Sequence, residues 1–385
     1  MNLVARRYDT AEWVEVAIDG HRLARVRPAS SHSGQPDQLY VAPGFVDIQT
    51  NGYGGQEFSS LELTAERVAT IVRQHYAFGV TGICPTLTTQ SFEVLAHGMR
   101  SIAEACRRWN DVGRAVWGIH LEGPYFSKED GARGAHPVEH CRRPNWDELA
   151  RLQAAADGRL TILTMSPEFD EAPDFIARAT ASGVTVSIGH TGATGAQIKA
   201  AVDAGARLST HLGNGAHRML RRHPNYLWDQ LAEDRLMASL IVDGHHLPPE
   251  FVKTAVRAKT PARCILVSDV SGLAGLAPGK YTSSGCELEI LADGRLVIAG
   301  QDQLLAGASL PIGVGVANVM QFAGVDLATA VDMATAHPAM LLGKPVRTLR
   351  PGDPADLVIF RLETSPCPRI EIVATILGGE KVYAS

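Results

Sequence analysis

Eight short apolar runs recur along the middle of the chain, at 44–48, 79–84, 116–121, 160–165, 184–188, 206–209, 237–242 and 264–267. Between them lie longer stretches with apolar residues at three- and four-residue spacing, at 64–78, 91–108, 145–156, 172–182, 194–204 and 249–259. Short runs bounded by turn residues read as buried strands, and the longer periodic stretches as amphipathic helices. Thr64, Ser91 and Thr194 stand where helix caps are expected. Eight strand–helix alternations argue for a (β/α)8 barrel over a doubly wound sheet.

The pattern changes at both ends. Residues 13–18 and 23–26 flank Asp19-Gly20, a hairpin signature, and a polar connector follows at 30–38. After the eighth run, 280–299 alternates around Asp293-Gly294 and predicts an inserted hairpin, followed by helices at 310–323 and 326–336. Short strands return over 356–383. The economical reading is a small β-domain built by residues 1–40 with 345–385, beside a barrel at 41–344.

Candidate chemistry sits where strands end. The third run stops at Glu122 in VWGIHLEGPY (116–125), the fifth leads to His190, the sixth to His211 and the eighth to Asp269. In a parallel barrel those C-terminal ends share one rim, where catalysis takes place. A buried carboxylate needs a partner, and one Glu with two His suits a divalent ion while leaving an open position for water. Such an ion lowers the pKa of bound water from ~15.7 toward ~7, and Asp269 is then the candidate base and acid. His136, in the flexible GARGAHP segment (131–137), is placed to polarise a carbonyl. His245 and His246 follow the seventh strand, and of two adjacent loop residues one is expected to face a substrate. His75, His97 and His337 read as structural.

Composition narrows the classes. The 385 residues are 45% hydrophobic with a formal net charge of −5, so there is no basic footprint for nucleic acid. No apolar run approaches the ~20 residues of a membrane span, and the first twenty residues lack the apolar core of a signal peptide. Six scattered cysteines without a CxxC pair suggest thiols in a reduced compartment, with the cytoplasm as the expected location.

HLEGPY (120–125), GARGAH (131–136), IGHTGAT (188–194), STHLGNGA (209–216), VDGHHL (242–247) and LVSDVSGLAG (266–275) together resemble the N-acetylglucosamine-6-phosphate deacetylase family of the amidohydrolase superfamily. APGFVDIQTNGYGG (42–55), LLAGASL (304–310) and AHPAMLLG (336–343) extend the likeness over most of the chain. The resemblance implies a TIM barrel with a small β-sandwich from both termini, a homodimer, and a small-molecule amino-sugar phosphate as substrate. It makes Glu122, His190 and His211 the ligands of one divalent metal, expected to be Zn with Fe, Co or Mn admitted. Asp269 becomes the proton acceptor and donor, and His136 the carbonyl-polarising group. Ala135, Asn214, Gly215, His246 and Leu305, Ala306 and Gly307 would contact the sugar. Arg222, with Arg218 and Arg221 as neighbours, would bind the phosphate across a dimer. Two departures stand out: Gln49-Thr50-Asn51 replaces the His-x-His of many amidohydrolases, and the 217–228 loop carries an unusual Asn225-Tyr226-Leu227-Trp228. Other N-acylated sugars or amino acids, or a silent sugar-phosphate-binding barrel, are the competing readings.

Overall fold

The computed structural model describes all residues except 31–35, 37, 284–285 and 301–304. Most of the 30–38 connector and Leu304 of the 304–310 motif therefore lie outside the described residues, as does the side chain of Cys286. Eight strands, Phe45–Thr50, Val80–Thr88, Ile119–Glu122, Leu160–Met165, Thr185–Ile188, Leu208–Ser209, Met237–Ile241 and Cys264–Val267, pair in parallel and in chain order. The ring is drawn shut where Asn51 N donates to Val270 O (2.7 Å) and Asp269 N donates to Gln49 O (3.0 Å). Strand alternation sends one set of side chains inward: Val46, Ile48, Cys84, Ile162, Leu208, Ile241 and Ile265 fill the barrel with Trp117. The opposite set, including Ile83, Leu121, Leu163, Val186 and Leu240, packs on the helices. Both faces are thus apolar, as in other buried parallel sheets.

Local chemistry explains the helices. Thr64 and Ser91 accept from Arg67 N and Val94 N, and Thr194 forms a reciprocal capping box with Gln197. Three expectations are corrected. The helix read at 326–336 covers only Leu327–Asp332, and a second short one, Ala336–Leu341, follows after a turn. Thr335 leaves the helical region between them (φ −140°, ψ −72°), and Pro338 has no N–H to continue an uninterrupted ladder. The segment 225–228 is not loop but the start of a helix, Tyr226–Ala232, capped by Asn225 accepting from Leu227 N and Trp228 N. The third strand begins at Ile119, while Val116 makes only an isolated bridge to Ile83.

The termini meet in a seven-stranded sheet. Strands Asn2–Arg7, Trp13–Asp19, Arg22–Pro28 and Leu39–Pro43 join Leu357–Glu363, Arg369–Leu377 and Glu380–Ala384, antiparallel except for one parallel pair. Their inward residues, among them Val16, Leu23, Val41, Leu357 and Ile376, form a core of their own. Arg347 joins this sheet to the floor of the barrel, paired with Asp356 (3.0 Å) and lying over Trp117 (4.5 Å). Between the eighth strand and the final helices a three-stranded sheet, Gly279–Ser283, Cys286–Ile290 and Leu296–Ile298, stands at the rim of the barrel's mouth. Among the described residues no helix is long and apolar enough to cross a membrane.

Asn225 also donates to Arg221 O (3.0 Å), so one side chain caps the helix and holds the loop before it. Replacing it, Asn225→Ala, should destabilise the protein by about 1 kcal/mol. Urea denaturation checks this, and an unchanged midpoint would count against the cap.

Candidate metal centre and catalytic pocket

The barrel register brings the strand ends to one level, with Thr88, Glu122 and Thr164 adjacent across three strands and Ile188 beside Ser209. Just beyond, the backbone bends sharply. His190 (φ 50°), His211 (φ 29°) and Asp269 (φ 53°) all sit at positive φ, a costly conformation for residues with a Cβ. The bend turns side chains that would otherwise follow strand alternation into one pocket. Gly215, itself at φ +58°, lets the chain lie against the His190 ring, where an added Cβ would come within 2.7 Å of Nδ1.

The resulting cluster is tight. Glu122 Oε1 lies 3.1 Å from His190 Nε2 and 3.0 Å from His211 Nε2, and those two nitrogens are 3.1 Å apart. His136 Nε2 adds a fourth group, 3.1 Å from His190 Nε2 and 3.8 Å from Glu122 Oε1. All four side chains are buried. His190 Nδ1 donates to Ala132 O at 3.1 Å, which leaves Nε2 of the neutral ring with a lone pair. Three imidazole nitrogens and a carboxylate oxygen thus crowd one spot with too few protons to join them all.

That is a donor set a cation satisfies. Ligands around a tetrahedral ion at ~2.0–2.1 Å lie roughly 3.3 Å apart, close to the 3.0–3.1 Å spacing of Glu122, His190 and His211. Glu122, His136 and His190 also bring their ligand atoms within 4.8 Å of one another. The set containing His211 is the more compact. His211 Nδ1 is buried without a hydrogen-bond partner.

Two amides missed as site residues brace the carboxylates. Gln49 Nε2 donates to Glu122 Oε2 (3.1 Å), and Asn51 Nδ2 donates to Asp269 Oδ1 (2.8 Å). They occupy the places of the absent His-x-His, so the departure from that pattern was the available signal. Asp243 was also missed: its carboxylate accepts from His245 N, His246 N and His246 Nδ1 (2.8–2.9 Å). That turn, with Gly244 at φ +88°, lets both histidines line the cavity, where only one was expected to face it.

Electrostatics follow from burial. Burial raises the Glu122 pKa, but the close His190 and His211 imidazoles outweigh it and hold the carboxyl well below its usual range. Burial lowers His190, and lowers His136 further with help from the neighbouring His190. Burial and the Glu122 charge push Asp269 up to about 6.

The cavity over this cluster measures about 580 Å³. Ala135, His136, Asn214, Gly215, His246, Leu305, Ala306 and Gly307 line it together with Glu122, His190, His211 and Asp269. Arg222 does not: it lies with Arg221 and His223 in an exposed stretch, whereas Arg218 reaches the cavity wall.

The amidohydrolase family model matches residues 40–382. Human N-acetylglucosamine-6-phosphate deacetylase is 35% identical over 354 residues, covering 89% of this chain and 83% of that one. N-acetylgalactosamine-6-phosphate deacetylase of Escherichia coli O157:H7 is 31% identical, covering 92% and 94%. A solved structure of a mutant N-acetyl-D-glucosamine-6-phosphate deacetylase from Mycobacterium smegmatis, in complex with N-acetyl-D-glucosamine-6-phosphate, superposes with a TM-score of 0.87 at 30% identity. It covers 100% of this chain and 99% of its own. With the family model spanning most of the sequence and these relatives aligned nearly end to end, this chain belongs to the amidohydrolase family.

Proposed function

We propose that this protein is a metal-dependent hydrolase that deacetylates N-acetylglucosamine 6-phosphate, giving glucosamine 6-phosphate and acetate. The observation that carries the reading is the meeting of Glu122, His190 and His211 around one point, in a cavity that also holds Asp269 and His136. The relatives at 30–35% identity support the substrate class. Glu122, His190 and His211 would hold one divalent ion, for which Zn²⁺ is our choice on ligand chemistry. The bound ion supplies Lewis acidity, lowering the pKa of water and drawing charge from the acyl oxygen.

The chain's own groups do the rest. Asp269 accepts the proton of the attacking water as the water oxygen bonds to the acetyl carbon. Asn51 fixes Oδ1 of Asp269, so the other oxygen, Oδ2, is the one to carry that proton. His136, kept neutral by burial, donates a hydrogen bond to the carbonyl oxygen as negative charge collects there. Asp269 then returns its proton to the sugar nitrogen as the C–N bond breaks. Ala135, Asn214, Gly215, His246 and the 305–307 segment shape the sugar site. Arg222 lies outside this cavity, so in this reading it reaches a phosphate only from the partner in a homodimer. A barrel at 41–344 with a small domain from 1–40 and 345–385 remains our division of the chain. Free thiols at all five described cysteines support a cytoplasmic setting.

Asp269→Asn should reduce acetate release by ~10²–10⁴-fold with metal content intact, as read by elemental analysis; wild-type kcat in this variant would remove Asp269 from the mechanism. The pH profile gives an independent check. Asp269 works as a base only when ionised, and its pKa is pushed from 3.8 to about 6, while a neighbouring cation pulls it back down. The acidic limb of kcat/KM should therefore fall between pH 4 and 6, and a limb above pH 7 would contradict the assignment. Substrate identity is tested on a panel of N-acetylglucosamine and N-acetylgalactosamine, each with and without the 6-phosphate. The galactosamine pair is included because of the Escherichia coli relative. Arg222→Ala should cost the phosphorylated sugars more than the unphosphorylated ones; equal losses would end the dimer-clamp reading.

A further inference from the structure

His217 sits where three of the connections around the barrel's mouth meet. It belongs to the loop that follows the sixth strand, and its ring lies between two glycines of other loops. A Cβ on Gly131, after the third strand, would come within 3.0 Å of His217 Cδ2. A Cβ on Gly192, after the fifth strand, would come within 3.0 Å of Cε1. Gly131 also holds φ +97°, a conformation that residues with a Cβ rarely adopt. The ring thus fills a slot that the missing side chains leave on either side.

Tyr226 fixes the ring in that slot. It opens the helix Tyr226–Ala232 and is buried. Its Oη lies 2.8 Å from His217 N and 3.0 Å from His217 Nδ1. A hydroxyl both accepts and donates, so Oη accepts from the backbone N–H and donates to Nδ1. The proton of the neutral ring then rests on Nε2, which lies 3.3 Å from Glu129 Oε1. A helix-borne hydroxyl therefore sets the ring's place, and the ring in turn meets the loop after the third strand at Glu129 and Gly131.

From Gly131 the hold passes to His136 through two successive turns. Gly134 N donates to Gly131 O (3.1 Å), and His136 N donates to Arg133 O (3.4 Å). Between them Ala132 O accepts from His190 Nδ1 (3.1 Å), which ties the same segment to the imidazole cluster. Residues 131–136 belong to no helix or strand, so contacts of this kind decide where the segment lies. His217 is part of the cavity wall, whereas Tyr226 is not. We propose that His217, anchored by Tyr226, is a positioning residue that holds His136 where it meets the acyl oxygen. This rests on the hydrolase reading given above, in which His136 donates to that oxygen as charge collects there. An interaction made only in the transition state sets kcat and leaves KM alone.

The test compares the full-length, metal-loaded enzyme with His217→Ala and Tyr226→Phe, by acetate release from N-acetylglucosamine 6-phosphate. His217→Ala should lower kcat by about 10- to 100-fold, the scale of a catalytic group misplaced by about 1 Å. Tyr226→Phe, which leaves the cavity wall untouched, should lower it about fivefold. KM should stay near the wild-type value in both. A loss confined to KM would make His217 a direct substrate contact and overturn the proposal, as would an unchanged kcat. In a His136→Gln background, His217→Ala should cost less than about threefold more. The same loss with and without the His136 ring would show that His217 does not act through it. Should His217→Ala not fold, judged by thermal melt and metal content, Tyr226→Phe decides by the same split of kcat and KM. If the wild type released no acetate, the deacetylase reading would fail, and hydrogen exchange would still decide this one. Faster exchange of the 131–136 amides in Tyr226→Phe, with the barrel strands unchanged, supports the anchor; exchange equal to wild type refutes it.

Discussion

Everything at the mouth of this barrel turns on the crowding of three imidazole rings around one carboxylate oxygen. Glu122 Oε1 has nitrogens of His190, His211 and His136 within 3.0–3.8 Å, all shielded from water. Unpaired polar atoms in such surroundings cost several kcal/mol, so the arrangement persists only where the scaffold imposes it. Two of these four residues, His190 and His211, also carry a left-handed backbone, as does Asp269 in the same cavity. A closed parallel barrel is stiff enough to hold that strain, and strain of this kind collects at functional sites.

The layer beneath the cluster shows how polar groups are tolerated so deep. His120 Nδ1 donates to Ile48 O (3.0 Å), which leaves Nε2 to accept from Thr164 Oγ1 (2.7 Å). Thr164 in turn meets Thr210 Oγ1 (2.7 Å), and Thr210 meets Ser187. One direction of donation, from Ser187 through Thr210 and Thr164 to His120, satisfies each of these links, with the Ser187 hydroxyl shared between Thr210 and Leu208 O (3.2 Å). Burial lowers His120 to about 4, so it stays neutral and the ladder keeps its polarity. A fully satisfied buried network rigidifies its surroundings, and this one lies directly below the residues that must not move.

Above the cluster the pocket is assembled from elements distant in sequence. The loop after the third strand brings His136, locked by Arg133 Nη1 donating to its carbonyl (2.6 Å) and by Phe126 packing on its ring at 4.7 Å. The turn after the seventh strand brings both His245 and His246, and the inserted hairpin brings Arg295. Variation in these connections can alter what is bound without disturbing what reacts, the usual division of labour in barrels.

Much of this was legible from residue order alone. Apolar runs of four to six residues, alternating with helical periodicity and closed by Glu122, His190, His211 and Asp269, specify a parallel barrel with chemistry at one rim. That works because period and burial are local properties. Helix ends were legible where a side chain caps its own helix, as at Thr64, Ser91 and Thr194. The split at Thr335 and the helix opening at Asn225 were not, because apolar spacing does not reveal where the backbone leaves helical φ and ψ. Nor could sequence show that Gln49 and Asn51 brace two carboxylates, or that Arg222 faces solvent while Arg295 enters the cavity. Those facts depend on ring closure and on where an inserted hairpin folds back. Residue order determined which groups reach the ends of strands; only the tertiary structure decided which of them meet, since contact between remote residues is set by the packing of the whole chain.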